Sequence, residues 1–267
     1  MVHWRTQSLS TLSGAPVHLC NVCTGYVNAV ITNEYEIERV LRMNKRLTAV
    51  LLCVAASVPV IAQKFDKRLT ESTAVLQTIA DKKEISDTAW SKARCVLVYP
   101  GVKKVGIGLG VTYGRGVLVC RTGADMTGHW GAPIMYKLDV GSLGAQLGST
   151  STDYVLLVLS QRGADKILSG KLKLGAGASA VAGPSGANAA AFNDPNVDIL
   201  SYSQSKGLFA GATLGSASLE SDDDANKEIY GKPIDAAAMV RDGTTPVPAP
   251  AQSLINLLKK ISPKRIS

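Results

Sequence analysis

Between residues 64 and 82 apolar side chains recur at helical spacing. Phe65, Leu69, Leu76 and Ile79 fall near one stripe, with Lys64, Lys67 and Arg68 on the first turns. The spacing predicts an amphipathic helix over 64–82, then a shorter helix with Asp87 near its N-terminus and Trp90 on its buried side. From residue 94 the period changes. Arg94-Cys95-Val96-Leu97-Val98-Tyr99 is β-branched and apolar, and Pro100-Gly101 stops it. Over 105–113 glycine occupies positions 106, 108 and 110. Period two puts these on one strand face, which admits close approach of a strand, helix or ligand. Gly114-Arg115-Gly116 reads as a turn and 117–121 as the returning arm of a hairpin.

Further strands are expected at 133–139, 143–148 and 153–159. Ser160 then caps a helix through Leu168 that Gly170 closes. Residues 172–182 alternate among small side chains, and 198–203 and 208–214 form a last pair of strands. Asp222-Asp223-Asp224 opens a short helix ending at Tyr230-Gly231, where carboxylates suit the helix dipole. Residues 242–251, with Pro246, Pro248 and Pro250, read as a linker. Beyond it, 253–261 is a helix with Leu254, Ile255, Leu257, Leu258 and Ile261 apolar and Lys259 and Lys260 basic. Two placements stay open: flat on an anionic membrane, or docked back on the domain. The fold class is α+β: a mostly antiparallel, glycine-rich sheet or barrel-like core, an N-terminal amphipathic helix and several short helices.

One apolar run stands apart, at 47–62. Met43-Asn44-Lys45-Arg46 precedes it and Val60-Ile61-Ala62 ends it, the pattern of a bacterial-style signal peptide over 43–62 cut after Ala62. Residues 1–42 are then an extension from an alternative start. Four segments follow: 1–42, 43–62, a domain over 63–242, and a Pro-rich and basic segment over 243–267. Cys53 lies mid-run, after Leu52 rather than a small residue, which argues against lipidation. Cys20-x-x-Cys23 near His18 is half a metal site without a second half. Cys95 and Cys120 fall in strand-like segments. An oxidising compartment permits a disulfide between them, but two buried thiols are the favoured reading.

Composition adds little to this picture except through charge and glycine. The chain has 25 glycines and 5% aromatic residues, so small aliphatic side chains must build the core. Between Lys64 and Asp242, 20 Lys and Arg oppose 18 Asp and Glu, a net of +2. Residues 243–267 add four basic side chains and no acidic one. That distribution does not indicate nucleic-acid binding. Enzyme signatures are sparse. His129 is the one histidine after Ala62, and no Gly-x-Ser-x-Gly elbow occurs. The glycine run at 106–110 is followed by a hairpin, unlike a dinucleotide fingerprint, and lacks the Gly-Lys-Ser/Thr of a phosphate loop. Asp153 and Asp165 as a catalytic pair are outweighed by ordinary strand and helix roles. No catalytic residue, metal or cofactor is expected.

Several segments, in order, resemble the SYLF domain family. They are Lys92-Ala93-Arg94, Gly101 with Gly106-x-Gly108, Gly114-x-Gly116-Val117, Trp130-x-Ala132-Pro133 and Gly144-x-Gln146-x-Gly148 with Asp153. Leu174-Gly175 and Ala182-Gly183-Pro184 continue the series. The most specific piece is Tyr202-Ser203-x-Ser205-Lys206-Gly207-Leu208-Phe209-Ala210-Gly211, and Asn226 with Tyr230-Gly231 closes it. The resemblance spans 64–242. It implies phospholipid binding, notably of phosphoinositides, and in fungal relatives actin binding. For an exported chain with no appended domain, the expected partner is anionic phospholipid or a membrane surface, and actin is not carried over. The candidate lipid-binding residues are Lys64, Phe65, Lys67, Arg68, Lys92, Arg94, Lys103, Lys104, Lys206, Lys259 and Lys260. Phe65 and Leu69 would enter the headgroup region while neighbouring cations meet phosphates. The competing readings are a structural or assembly protein of the cell envelope and a hydrolase with an unfamiliar site. N-terminal sequencing of the native protein is expected to start at Gln63; peptides from residues 1–42 would contradict the assigned start.

Overall fold

The computed structural model describes residues 62–140, 145–184, 194–212, 214 and 217–265, and only the backbone of 62–64, 105–111 and 145–149. The expectations for residues 1–42, for the leader up to residue 61, and for Cys20, Cys23 and Cys53 lie outside the described residues. Helix α1 (Ala62–Asp81) contains neither Gly nor Pro and turns Phe65, Leu69, Val75, Leu76 and Ile79 inward at three- and four-residue intervals. Helix α2 (Asp87–Lys92) starts at Ser86, whose hydroxyl accepts from the Ala89 N–H at 3.2 Å, and buries Trp90. Eight strands follow, with further helices between and after them. They are β1 (Cys95–Cys120), β2 (Ile134–Val140), β3 (Ala145–Val158), α3 (Gln161–Leu168), β4 (Lys171–Lys173), β5 (Ala180–Ala182), β6 (Ile199–Ser205), β7 (Leu208–Gly211), β8 (Ala217–Ser221), α4 (Asp223–Tyr230), α5 (Ala236–Asp242) and α6 (Gln252–Ile261).

The sheet runs in the order β4-β8-β2-β1-β3-β6-β5, with β7 also on β6. Its pairs are antiparallel except β5 with β6. It is strongly curled, a half-barrel, as the α+β expectation required. Period two sorts the strand residues into two cores. Val96, Val98, Val117, Val119, Val155 and Leu157 face one, with α1, α2 and α6; Leu97, Tyr99, Leu118, Tyr136, Leu156 and Leu219 face the other, with α3 and α5.

Strand β1 keeps the predicted hairpin but moves its turn, to between Leu109 and Thr112. Its first arm pairs with β3, from Cys95 opposite Val158 to Leu109 opposite Ala145. Its second arm pairs with β2, from Thr112 opposite Val140 to Leu118 opposite Ile134. The arms fold back on each other, since Arg121 N–H donates to Arg94 O at 2.8 Å and Gly116 lies against the Tyr99 ring. Gly114-Arg115-Gly116 is therefore strand, paired with Leu138, Lys137 and Tyr136, and not a turn. Glycine is required at 116: a Cβ there would lie 2.4 Å from the Tyr99 ring and from Val98 O. The predicted stop at Pro100-Gly101 is a bulge, with Gly101 at φ +57° and its N–H held by Asp153 Oδ1 at 2.7 Å. That bond gives Asp153 a structural role. Strands expected at 143–148 and 153–159 are one strand, β3.

Cys95 and Cys120 form a disulfide across the base of the folded-back β1, which corrects the expectation of two thiols. The reason is register: the two residues face each other on adjacent arms, a relation that strand-by-strand reading does not reveal.

The C-terminal segment is also corrected. Residues 243–251 are not a free linker, and α6 docks on the domain with Leu254, Ile255, Leu257 and Leu258 buried. A polar lock follows it. Ser262 O accepts from Arg121 Nη2 at 2.7 Å and from Trp130 Nε1 at 3.0 Å, and Ser262 Oγ donates to Trp90 O at 2.6 Å. Arg121 also lies over the Trp130 ring, 4.3 Å from its centroid. Burial, with Arg265 nearby, pushes its guanidinium down to about 10.

Closing a 25-residue separation by a disulfide is worth about 3 kcal/mol. Cys95→Ala/Cys120→Ala is expected to lower unfolding free energy by up to that amount in denaturant titrations, with far-ultraviolet circular dichroism unchanged. A double variant as stable as the parent would contradict the bond's contribution.

Candidate functional site

The helical spacing that buries Phe65, Leu69 and Ser72 also turns Arg68 inward. It meets Asp222, the residue before α4, whose backbone N–H is engaged by Met135 O at 2.9 Å. Asp222 makes no side-chain cap bond to α4. Its carboxylate is buried and takes three cations: Arg68 Nη1 at 3.2 Å, Arg115 Nη1 at 3.6 Å and Lys137 Nζ at 3.3 Å. Burial lowers the Arg68 pKa from its ordinary value, and the Asp222 charge works against that shift. Arg115 and Lys137 are directly opposed on β1 and β2, a like-charged pair that is unfavourable without an anion. Asp222 supplies one negative charge for three positive ones. The Arg115 side chain keeps 66% of its surface exposed and Lys137 keeps 36%.

These groups form one wall of a cleft of about 620 Å³ between α1, β1, β2 and α4. Phe65 and Tyr113 add apolar surface to it, and Lys67 and Lys103 add charge. The charge is divided. Lys103, Arg115 and Lys137 lie on the sheet side, while Glu71, Asp224 and Glu228 come from the helices. An anionic group is attracted to the sheet side, where the cations outnumber the carboxylate they share.

The candidate residues separate on this frame. Phe65, Lys67, Arg68 and Lys103 come together in the cleft. Lys67 is exposed and 3.7 Å from Glu71. Arg68 is not a surface cation: it is buried on Asp222. Phe65 and Leu69 are also buried, which corrects their expected insertion into a headgroup layer. Each large apolar side chain buried contributes about 1.5–3 kcal/mol. Withdrawing the α1 ridge would forfeit more than the roughly 1 kcal/mol per basic residue gained at an anionic surface. Lys104 is half-buried on β1, opposite Thr150. Lys92 is half-buried at the end of α2. Arg94 is spent on structure: it donates to Leu159 O at 3.1 Å, Gln161 Oε1 at 2.8 Å and Asp125 O. Lys206 is exposed between β6 and β7, and Lys259 and Lys260 are exposed on α6, away from the cleft. The Lys64 side chain lies outside the described residues.

Sequence reading missed Asp222, Arg115 and Lys137 as one group. The available signal was Arg68 itself, a cation at a core position of an amphipathic helix, which demands a buried partner. Among the described residues, no group of three or more His, Cys, Asp or Glu side chains is placed to hold a metal ion.

Residues 139–261 match the family model described as Ysc84, Las17-binding protein actin regulator. An SH3 domain-containing protein of Schizosaccharomyces pombe is 31% identical over 201 residues, covering 73% of this chain and 46% of that protein. Protein YSC84 of Saccharomyces cerevisiae is 33% identical over 152 residues, covering 55% and 31%. Human SH3 domain-containing YSC84-like protein 1 is 28% identical over 210 residues, covering 76% and 59%. The chain thus spans between about a third and three fifths of these relatives' lengths. No solved structure matches it. The family match runs through α6, which the sequence-based boundary at residue 242 left out.

Replacing Asp222 strands the buried Arg68, whereas Arg115 and Lys137 can turn to water. Asp222→Asn is expected to cost about 3 kcal/mol in chemical denaturation, and Arg115→Gln under about 1 kcal/mol. Equal costs for the two variants would contradict the asymmetry of the cluster.

Proposed function

Since the chain belongs to the Ysc84-like SYLF family, we propose that it is a non-catalytic binding domain for anionic phospholipid at a membrane surface. The observation that carries this reading is the shared carboxylate: three cations converge on Asp222, and two of them, Arg115 and Lys137, remain open to solvent beside Lys103. A phosphate is the group such an arrangement suits, because it accepts several charge-assisted hydrogen bonds at once. Tyr113, about half exposed at the cleft, supplies adjoining apolar surface for the glycerol and upper acyl region.

Export is part of the proposal. The leader pattern over 43–62 supports it, and the Cys95–Cys120 disulfide suits an oxidising compartment. Actin regulation and Las17 binding are named for the family model and stay with the proteins so named. Export would separate this chain from actin, so we do not extend that activity to it. The lipid contact proposed is through the sheet side of the cleft, with α1 kept in the core.

The test is flotation of the mature chain with neutral and phosphatidylglycerol-containing vesicles at low and high salt. Binding is expected to require the anionic lipid and to weaken as salt rises. Lys103→Gln/Arg115→Gln is expected to weaken it about thirtyfold, at about 1 kcal/mol per basic residue. Lys259→Gln/Lys260→Gln should leave it within about twofold, since α6 lies away from the cleft. Indifference of the parent protein to anionic vesicles at low salt would overturn the reading.

A further inference from the structure

The last turn of α1 closes on Lys83. The Glu84 N–H donates to Ile79 O at 3.2 Å and the Lys83 N–H to Ala80 O at 3.1 Å, the paired bonds of a Schellman motif. That motif requires a left-handed residue at the position Lys83 occupies, and Lys83 has φ +52°. Glycine takes this conformation without steric cost; a residue with a Cβ does not. The same chain uses glycine after α3, α4 and α5, where Gly170, Gly231 and Gly243 have φ of +92°, +70° and +62°. Lysine at 83 therefore holds the backbone in a state that glycine would relieve. A strained position of this kind points to a use for its side chain.

Lys83 lines a cavity of about 380 Å³, together with Lys260 at the end of α6 and Lys264 just beyond it. Buried Ile85 and Trp90 and half-buried Ile261 give the cavity an apolar wall. Asp87 is the one carboxylate among its lining residues, so three ammonium groups against one carboxylate leave a net +2. Among the described residues, none of the three lysines makes an ion pair. The ground behind the cavity is also poor in negative charge. Ser262, another lining residue, accepts from Arg121, whose donors meet only carbonyls and the Ser262 hydroxyl. Arg265 lies near Arg121, and its Nε is buried without a hydrogen-bond partner.

We propose that this cavity is a second binding site, for a small soluble phosphate compound carrying two or more negative charges, and that Lys83 keeps its left-handed position to serve it. The size suits a small molecule, since such sites begin at about 300 Å³. Ammonium groups are compact charges that meet phosphate oxygens without a fixed fork geometry. The charge balance sets the selectivity: a dianion neutralises the net +2, whereas the single charge of a phosphodiester leaves half of it unmet. The cavity shares no lining residue with the cleft between α1, β1, β2 and α4, so the two sites are independent.

The test is calorimetric titration of the protein with sodium pyrophosphate at low ionic strength, alongside thermal melts. The parent is expected to bind pyrophosphate, and to bind singly charged dimethyl phosphate at least about tenfold more weakly. Lys83→Gln is expected to weaken pyrophosphate binding about fivefold with melting temperature unchanged, and Lys260→Gln/Lys264→Gln about thirtyfold. Lys83→Gly is expected to weaken binding by the same factor while raising the melting temperature by about 2–4 °C, because glycine relieves the left-handed backbone. A solvated lysine with no ligand would give the second effect without the first. Parent protein that ignores pyrophosphate, or Lys83→Gln and Lys83→Gly that bind it as the parent does, overturns the site. Lys83→Gly melting below the parent overturns the claim that strain is kept at this position. Vesicles containing phosphatidic acid cover the membrane source of the same group. Binding to them that Lys83→Gln loses, with no pyrophosphate bound by the parent, would assign the cavity to a lipid phosphate and overturn the soluble ligand.

Discussion

The buried Asp222 carboxylate is the constraint around which this domain is arranged. A lone ionised carboxylate in an apolar interior is costly, and here it is compensated by Arg68 from α1, Arg115 from β1 and Lys137 from β2. Four elements distant in sequence are thereby tied at one point: the first helix, two neighbouring strands and the start of α4. Replacing Arg68 by a leucine of ordinary amphipathic pattern would satisfy the α1 ridge but leave Asp222 facing only its two half-exposed partners. The asymmetry of the cluster, with one cation buried and two open, connects the fold to the function proposed for it. The same charge that holds α1 on the sheet also leaves positive groups facing the cleft.

A second constraint acts from the opposite end of the chain. Ser262 collects hydrogen bonds from Arg121 and Trp130 and gives one to Trp90, so the residue after α6 closes the helical layer over the sheet. Both α1 and α6 are amphipathic, and both could be drawn on a membrane from sequence alone. In the folded domain they lie in the same core, with Leu69, Leu76, Leu254 and Leu258 buried together. Hydrophobic burial of that extent outweighs the electrostatic gain of laying either helix on lipid, which moves the plausible contact surface to the sheet.

Local signals in the sequence were reliable where the physics was local. Ser160 caps α3 with a bond from the Gly163 N–H, Gly231 ends α4 in the left-handed region, and α1 begins and ends within two residues of its expected limits. Register was not legible. Gly114 and Gly116 carry the residue types of a turn, yet they are strand glycines that make room for Val102 and Tyr99 on the adjacent arm. The Cys95–Cys120 bond depends on that same fold-back. The site was legible in part. Lys67, Arg68 and Lys103 were recognisable as basic residues, but their division into a buried organiser and two exposed contacts depends on Asp222, which reads in sequence as one of three helix-starting acids. Arg94 illustrates the reverse: its position in a family motif suggested a surface role, and its guanidinium instead joins the loop at Asp125 to Leu159 and Gln161.

The central claim is that the cations left over around Asp222 are where lipid phosphate binds. The most direct measurement is an NMR titration of the folded domain with a short-chain phosphatidylglycerol below its micelle concentration, following side-chain resonances of arginine and lysine. The account requires shifts concentrated at Arg115, Lys137 and Lys103, reversed by salt, with Lys259 and Lys260 unmoved. Shifts confined to α6, or none at the three sheet residues while the lipid is bound, would contradict it.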